Sequence, residues 1–123
     1  MPLPNVLFVR FKGEFEHLVE CVKGHGFSVT EAHTPAAALA AFHRMRAEGT
    51  RFDTIVGAMP ILFGLFREED RHVGMVVIPR SDDEVRLRTV RFGDDPRVRI
   101  LSRPVNQENF VRALSELNPT LAL

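Results

Sequence analysis

Apolar positions along the chain fall into short runs and spaced stripes that alternate from one end to the other. Asn5 to Val9 is an apolar run with Pro2 and Pro4 before it and Gly13 after it, which predicts a buried strand. From Glu14 the spacing becomes helical. Phe15, Leu18, Val19 and Val22 form one stripe, while Glu14, Glu16, Glu20 and Lys23 lie outside it. Gly24 and Gly26 stop this helix, and Phe27 to Ala32 predicts a second, shorter strand. Thr34-Pro35 opens the next helix, because the hydroxyl can cap orphan amides and proline suits the first helical position. Ala36 to Glu48 follows, with Leu39, Phe42 and Met45 on its apolar side and Gly49 at its end.

The second half repeats the alternation. Phe52 to Gly57 predicts a third strand, closed by Met59-Pro60, and the chain turns polar from Arg67 to His72. Gly74 to Ile78 carries no charge and predicts a fourth strand in the middle of a sheet covered on both faces. Ser81-Asp82-Asp83-Glu84 is a capping box before a helix with Val85, Leu87, Val90 and Phe92, which ends at Gly93. Val98 to Leu101 predicts the fifth strand. Asn106 to Leu117 predicts the last helix, with Phe110, Val111, Leu114 and Leu117 buried and Pro119 preventing continuation. Strands that alternate with helices over short loops pair in parallel, since each return to the sheet needs a crossover. The expected fold is therefore α/β, a flavodoxin-like (βα)5 doubly wound, five-stranded parallel sheet. Only about a dozen residues separate Pro60 from the fourth strand, so the third helix should be shortened or irregular.

Composition narrows the choice of function. The 123 residues, 45% of them apolar, suffice for one buried core without disulfides or metal, so a single domain over 1–123 is expected, with an ordered core from about 5 to 117. Sixteen basic residues balance sixteen acidic ones, which argues against direct nucleic-acid binding and against an anionic membrane as partner. No apolar stretch approaches the roughly 18 residues of a spanning helix, and a cytoplasmic location is expected. Cys21 is the only cysteine and sits among Leu18, Val19 and Val22, where it reads as a small half-buried apolar residue. All basic residues but Lys12 and Lys23 are Arg, the better residue for planar carboxylate recognition at interfaces.

Met59-Pro60 after the third strand, Gly93 after the fourth helix and Arg103-Pro104 after the fifth strand resemble, in order and spacing, the receiver domains of two-component signalling. The resemblance implies a phosphorylation pocket at the C-terminal ends of the strands, and here that pocket is degenerate. Where the family's first strand ends in two acidic residues that help hold magnesium, this chain has Val9-Arg10-Phe11. Where the family's third strand ends in a phosphoacceptor aspartate, Thr54 to Pro60 contains no carboxylate, and Gly57 and Ala58 line the strand end. Asp53 lies at the opposite end of that strand, in a structural position. Ile78 and Pro79 supply no hydroxyl in place of the family's Ser or Thr. Ile100 takes the place of the switch aromatic, and Arg103 that of the phosphate-pairing lysine. Pro104 is retained, and the resemblance implies a cis bond before it.

Other chemistry is not supported. The five histidines are scattered without ligand spacing, and Gly24-His25-Gly26 follows a helix, where it cannot cradle a phosphate. Glu68, Glu69 and Asp70 read as a solvated loop or helix end between Arg67 and Arg71. No catalytic residue, metal or cofactor is expected, and the chain is not expected to be an enzyme. The resemblance instead implies a pseudo-receiver that regulates bacterial signal transduction without phosphorylation, by binding another signalling protein or domain or a second copy of itself. The face expected to do so is built by the fourth helix, fifth strand and fifth helix, with Arg88, Arg91 and Arg99 upon it. The alternative is a sensor of a small anionic ligand or nucleotide, held by Arg10 and Arg103 in the former phosphorylation pocket.

Overall fold

The computed structural model describes residues 4–10, 15–58, 65, 66, 68–70, 72–79 and 95–118. Within them, strands β1 (Asn5–Val9), β2 (Ser28–Ala32), β3 (Thr54–Gly57), β4 (Gly74–Val77) and β5 (Val98–Ile100) form one sheet in the order β2-β1-β3-β4-β5. Every pairing is parallel. The helices are α1 (Glu16–Gly24), α2 (Pro35–Ala47) and α3 (Gln107–Leu117), the last being the fifth expected from the sequence. This is the flavodoxin-like α/β arrangement that the alternating pattern predicts.

Each central strand is apolar on both sides because both sides are covered. Val6, Phe8, Val56, Val76 and Ile78 join Leu18, Val19 and Val22 of α1 and Phe110, Leu114 and Leu117 of α3 in one core. Leu7, Val9, Ile55, Met75 and Val77 join Ala38, Ala41 and Phe42 of α2 in the other. Strand side chains alternate between faces, so a one-residue slip would exchange the two cores. Phe8 stacks on Phe110 at 6.0 Å between centroids in the first core, and Phe42 meets Phe66 at 4.8 Å in the second.

Local signals position the helices. Thr34 Oγ1 accepts from the Ala37 N–H at 3.1 Å, with Pro35 at the first helical position, and Asn106 Oδ1 accepts from the Asn109 N–H at 2.7 Å. Gly26 and Gly49 take φ of 85° and 81° after α1 and α2, a conformation glycine enters without a Cβ penalty. Two expectations shift. The core side of α2 is Ala38, Ala41 and Phe42, with Leu39 and Met45 only partly buried against it, and in α3 Val111 is half-buried while Ala113 takes the core position.

Leu65, Phe66, Glu68 and Glu69 are helical, in the stretch where a short third helix was expected. Glu69 is exposed and meets His43 at 2.8 Å, as a solvated helix end should. Asp70 does not follow that expectation. It is 9% exposed, its Oδ1 accepts from the His72 N–H at 3.0 Å, and Arg51 lies 3.6 Å away. The capping box at Ser81 and the fourth helix lie outside the described residues, as do Met59-Pro60 and Gly93.

Candidate functional site

Open α/β sheets place their sites beyond the C-terminal ends of the strands, where the strand order reverses. Here the chain leaves β1 for β2 on one side and returns to β3 on the other. Val9 stands opposite Gly57, Gly57 opposite Val77, and Val77 opposite Ile100. The ladder extends one residue further, with the N–H of Arg10 donating to Ala32 O at 3.0 Å, that of Ile78 to Gly57 O at 2.9 Å and that of Leu101 to Val77 O at 2.9 Å. Ala58 and Ile78 are buried and apolar, and the described charged groups at this end include Arg10, Glu31 and Arg103.

Arg10 is 7% exposed. Its Nε donates to Glu31 Oε1 of β2 at 2.8 Å, its Nη2 pairs with the same oxygen, and Glu16 Oε1 lies 3.9 Å from Nη1. A buried guanidinium needs such a counter-charge, since taking it out of water unpaired is costly. The hydrogen bond from Arg10 holds the Glu31 carboxyl below the ordinary value of 4.5; partial burial opposes this, while the charges of Arg10, Lys23 and His33 reinforce it. His33 Nδ1 lies 3.1 Å from the Arg10 carbonyl, which can only accept, so this nitrogen carries the proton.

Arg103 has different surroundings. Its guanidinium carbon lies 4.8 Å from the Phe15 ring centroid, within cation–π range, and its Nη2 lies 3.5 Å from Ile78 O. The Arg103-Pro104 bond is cis, as the resemblance implied. Phe15, His17, Arg103, Pro104 and Val105 line a cavity of about 500 Å³ between the start of α1 and the chain leaving β5. Arg10 is not among these lining residues, so the two arginines do not converge on this cavity. Phe15 starts α1 with φ 62° and ψ 23°, a left-handed conformation rare for a bulky residue, and no side chain caps the helix there. The helical stripe had placed Phe15 inside the helix, and nothing in its identity marks it for positive φ.

Of the expected partner face, Arg99 lies on β5. Its Nε donates to Glu116 Oε2 of α3 at 2.7 Å, and its Nη1 donates to Pro96 O and Val98 O at 3.0 and 3.1 Å. Beside it runs a shallow groove of about 140 Å³ along Ile100, Leu101, Asn109 and Arg112. Phe11, Arg88 and Arg91 lie outside the described residues. Among the described residues no group of three or more His, Cys, Asp or Glu is placed to hold a metal, and no helix is long and apolar enough to cross a membrane.

No protein-family model matches the chain, and no curated protein sequence is similar to it. Solved structures are similar in fold. A response regulator receiver domain protein (CheY-like) from Methanospirillum hungatei shares 16% identity over 95% of each chain, with a TM-score of 0.73. The chemotaxis protein CheY4 of Vibrio cholerae shares 20% identity over 94% of this chain and 98% of that one, at a TM-score of 0.68. An adenylate cyclase from Rhodopirellula baltica shares 16% identity over 96% of this chain and 89% of that one, at 0.71. The sheet order, the parallel register and these likenesses agree: the chain has the CheY-like fold of response regulator receiver domains.

Proposed function

We propose that this chain is a phosphorylation-independent receiver-like module that regulates bacterial signal transduction by binding another signalling protein. The observation that carries this reading is Arg10, a buried cation closing the end of β1 and held by Glu31. Magnesium requires several oxygen ligands in near-octahedral geometry. The described residues do not fit it, because the Arg10 guanidinium repels the ion and Glu31 is already engaged. With Gly57 and Ala58 ending β3, no described side chain at that strand end can accept a phosphoryl group. A scaffold kept without that chemistry suits recognition, and among the described residues no nucleophile and base come together at the strand ends.

The proposed partner surface spans the fourth helix, β5 and α3, with Arg88, Arg91 and Arg99 as its cations, and its partner presents carboxylates. Arg99 and Arg112 border the groove along β5, which supports this placement. Reversing all three charges, R88E/R91E/R99E, should abolish partner binding in a pull-down, or self-association by sedimentation, with little change in melting temperature. Like charges across an interface cost several kcal/mol, whereas exposed ion pairs contribute about 1 kcal/mol or less to stability. A control reversal at Glu16 and Glu20 of α1 should leave binding intact. Retained binding in the arginine variant with loss in the glutamate variant would move the interface to α1.

A further inference from the structure

The two edges of the sheet are finished differently. At β5, the N–H of Met75 donates to Arg97 O at 2.8 Å and that of Leu101 to Val77 O at 2.9 Å. Main-chain groups alternate in direction along a strand, so those of Val98 point outward. Arg99 Nη1 covers this edge by donating to the carbonyls of Pro96 and Val98. At β2, the N–H of Ser28 donates to Pro4 O at 3.2 Å, and Ala32 O accepts from the Arg10 N–H at 3.0 Å. Ser28, Thr30 and Ala32 therefore bond toward β1, and the N–H and C=O groups of Val29 and Glu31 point away from the sheet. No described residue supplies them a hydrogen bond. Glu31 is an exposed residue although its side chain is only 28% exposed, so much of its open surface is main chain.

We propose that this edge binds a second copy of the chain, β2 against β2 in antiparallel sense, joining two five-stranded sheets into one continuous sheet. A twofold axis at Thr30 sets Val29 opposite Glu31 of the second copy, and Glu31 opposite its Val29. Each such pair exchanges two N–H···O bonds, which satisfies every outward group of both residues. The fit is reciprocal, as a contact between identical surfaces requires. Val29 and Thr30 are β-branched and half-buried, and β2 has neither the proline nor the bulge that deters edge pairing. Glu31, the one charge on β2, is drawn onto Arg10, and Lys23 Nζ lies 4.0 Å from its other oxygen. In this register the two Glu31 residues do not face each other, and each keeps its own cations. Sixteen basic residues balance sixteen acidic ones, so two copies carry no net repulsion. The arginine face lies at the opposite edge of the sheet and stays open to a different protein.

Sedimentation over a concentration series should show a monomer-to-dimer equilibrium. Amide hydrogen exchange at Val29 and Glu31 should slow as the dimer fills, while that of Thr30, already bonded to β1, stays the same. Thr30 faces its own counterpart across the axis, so T30K and T30E should each melt near the parent protein and dimerise about tenfold or more weakly, since like charges directly opposite oppose strand pairing. An equimolar mixture of T30K and T30E should recover the dimer, which misfolded variants could not do. A chain that stays monomeric up to millimolar concentration would overturn the proposal and leave the edge to an extended peptide. Exchange at Val29 and Glu31 that ignores concentration, undiminished dimers of T30K and T30E, or a mixture that fails to recover would overturn it as well. Dimers lost in R88E/R91E/R99E but kept in both Thr30 variants would move self-association to the arginine face. The reverse pattern supports β2 and leaves the arginine face to be judged by its own pull-down.

Discussion

At the N-terminal ends of the strands, polar side chains tie neighbouring elements to one another, whereas the described residues at the C-terminal ends include the Arg10–Glu31 ion pair and an open cavity. Asp53 Oδ2 accepts from the Asn5 N–H at 2.9 Å, joining β1 to the start of β3. Asn118 Nδ2 donates to the buried Thr54 Oγ1 at 3.0 Å. Arg97 reaches the His72 carbonyl at 2.8 Å and the last turn of α3, at Leu117 O, at 2.7 Å. The opposite end holds Arg10 with Glu31, and Arg103 over Phe15. One end is closed by bonds that fix geometry. The other holds a cavity and exposed charge.

Gly74 offers the largest expected effect on that contrast. A Cβ there would stand 3.3 Å from the Asp53 carbonyl oxygen, 3.3 Å from Leu117 Cβ and 3.2 Å from Arg97 Nη2. The arginine tip can move, but the strand carbonyl and the helix cannot shift without disturbing the sheet. G74A should therefore destabilise the protein by about 1–2 kcal/mol, read as a lower denaturant midpoint with an unchanged slope. An equal or raised midpoint would show that the N-terminal end is looser than its hydrogen bonds suggest.

A smaller effect is expected from the ion pair at the other end. The folded-state value of Glu31 lies below its ordinary 4.5, so the pair contributes stability above that pH and loses it as pH falls through the lower, folded value. E31Q should cost about 1 kcal/mol at neutral pH, the carboxylate being partly exposed, and the gap from the parent protein should narrow below pH 4.5. Unfolding curves across pH 3–7 measure this. A constant gap would mean that Glu31 acts through packing and not through its charge.

These elements differ in how far the chain announces them. The strands were legible because a doubly covered sheet demands apolar residues on both faces, and Val6, Leu7, Phe8 and Val9 supply them in succession. The start of α2 was legible from the Thr34 hydroxyl, whereas the left-handed start of α1 at Phe15 was not. The buried side of α2 was not, since Ala38 and Ala41 carry a weak hydropathy signal and their burial follows from the nearby strands. Arg10 could be placed at a strand end from its position alone. Its partner could not, because the pair depends on the register that sets Phe8 opposite Glu31. Asp70 misled because it stands in a polar run, yet its carboxylate turns inward to the His72 amide.

Phosphoryl transfer gives the most direct test of the contrast between a retained scaffold and a replaced pocket. The protein is incubated with acetyl phosphate and magnesium, and its intact mass is followed. We expect no change in mass, since Arg10 occupies the end of β1 and Thr54 to Pro60 offers no carboxylate. A stoichiometric, acid-labile gain of one phosphoryl group would contradict the reading of this chain as a phosphorylation-independent module.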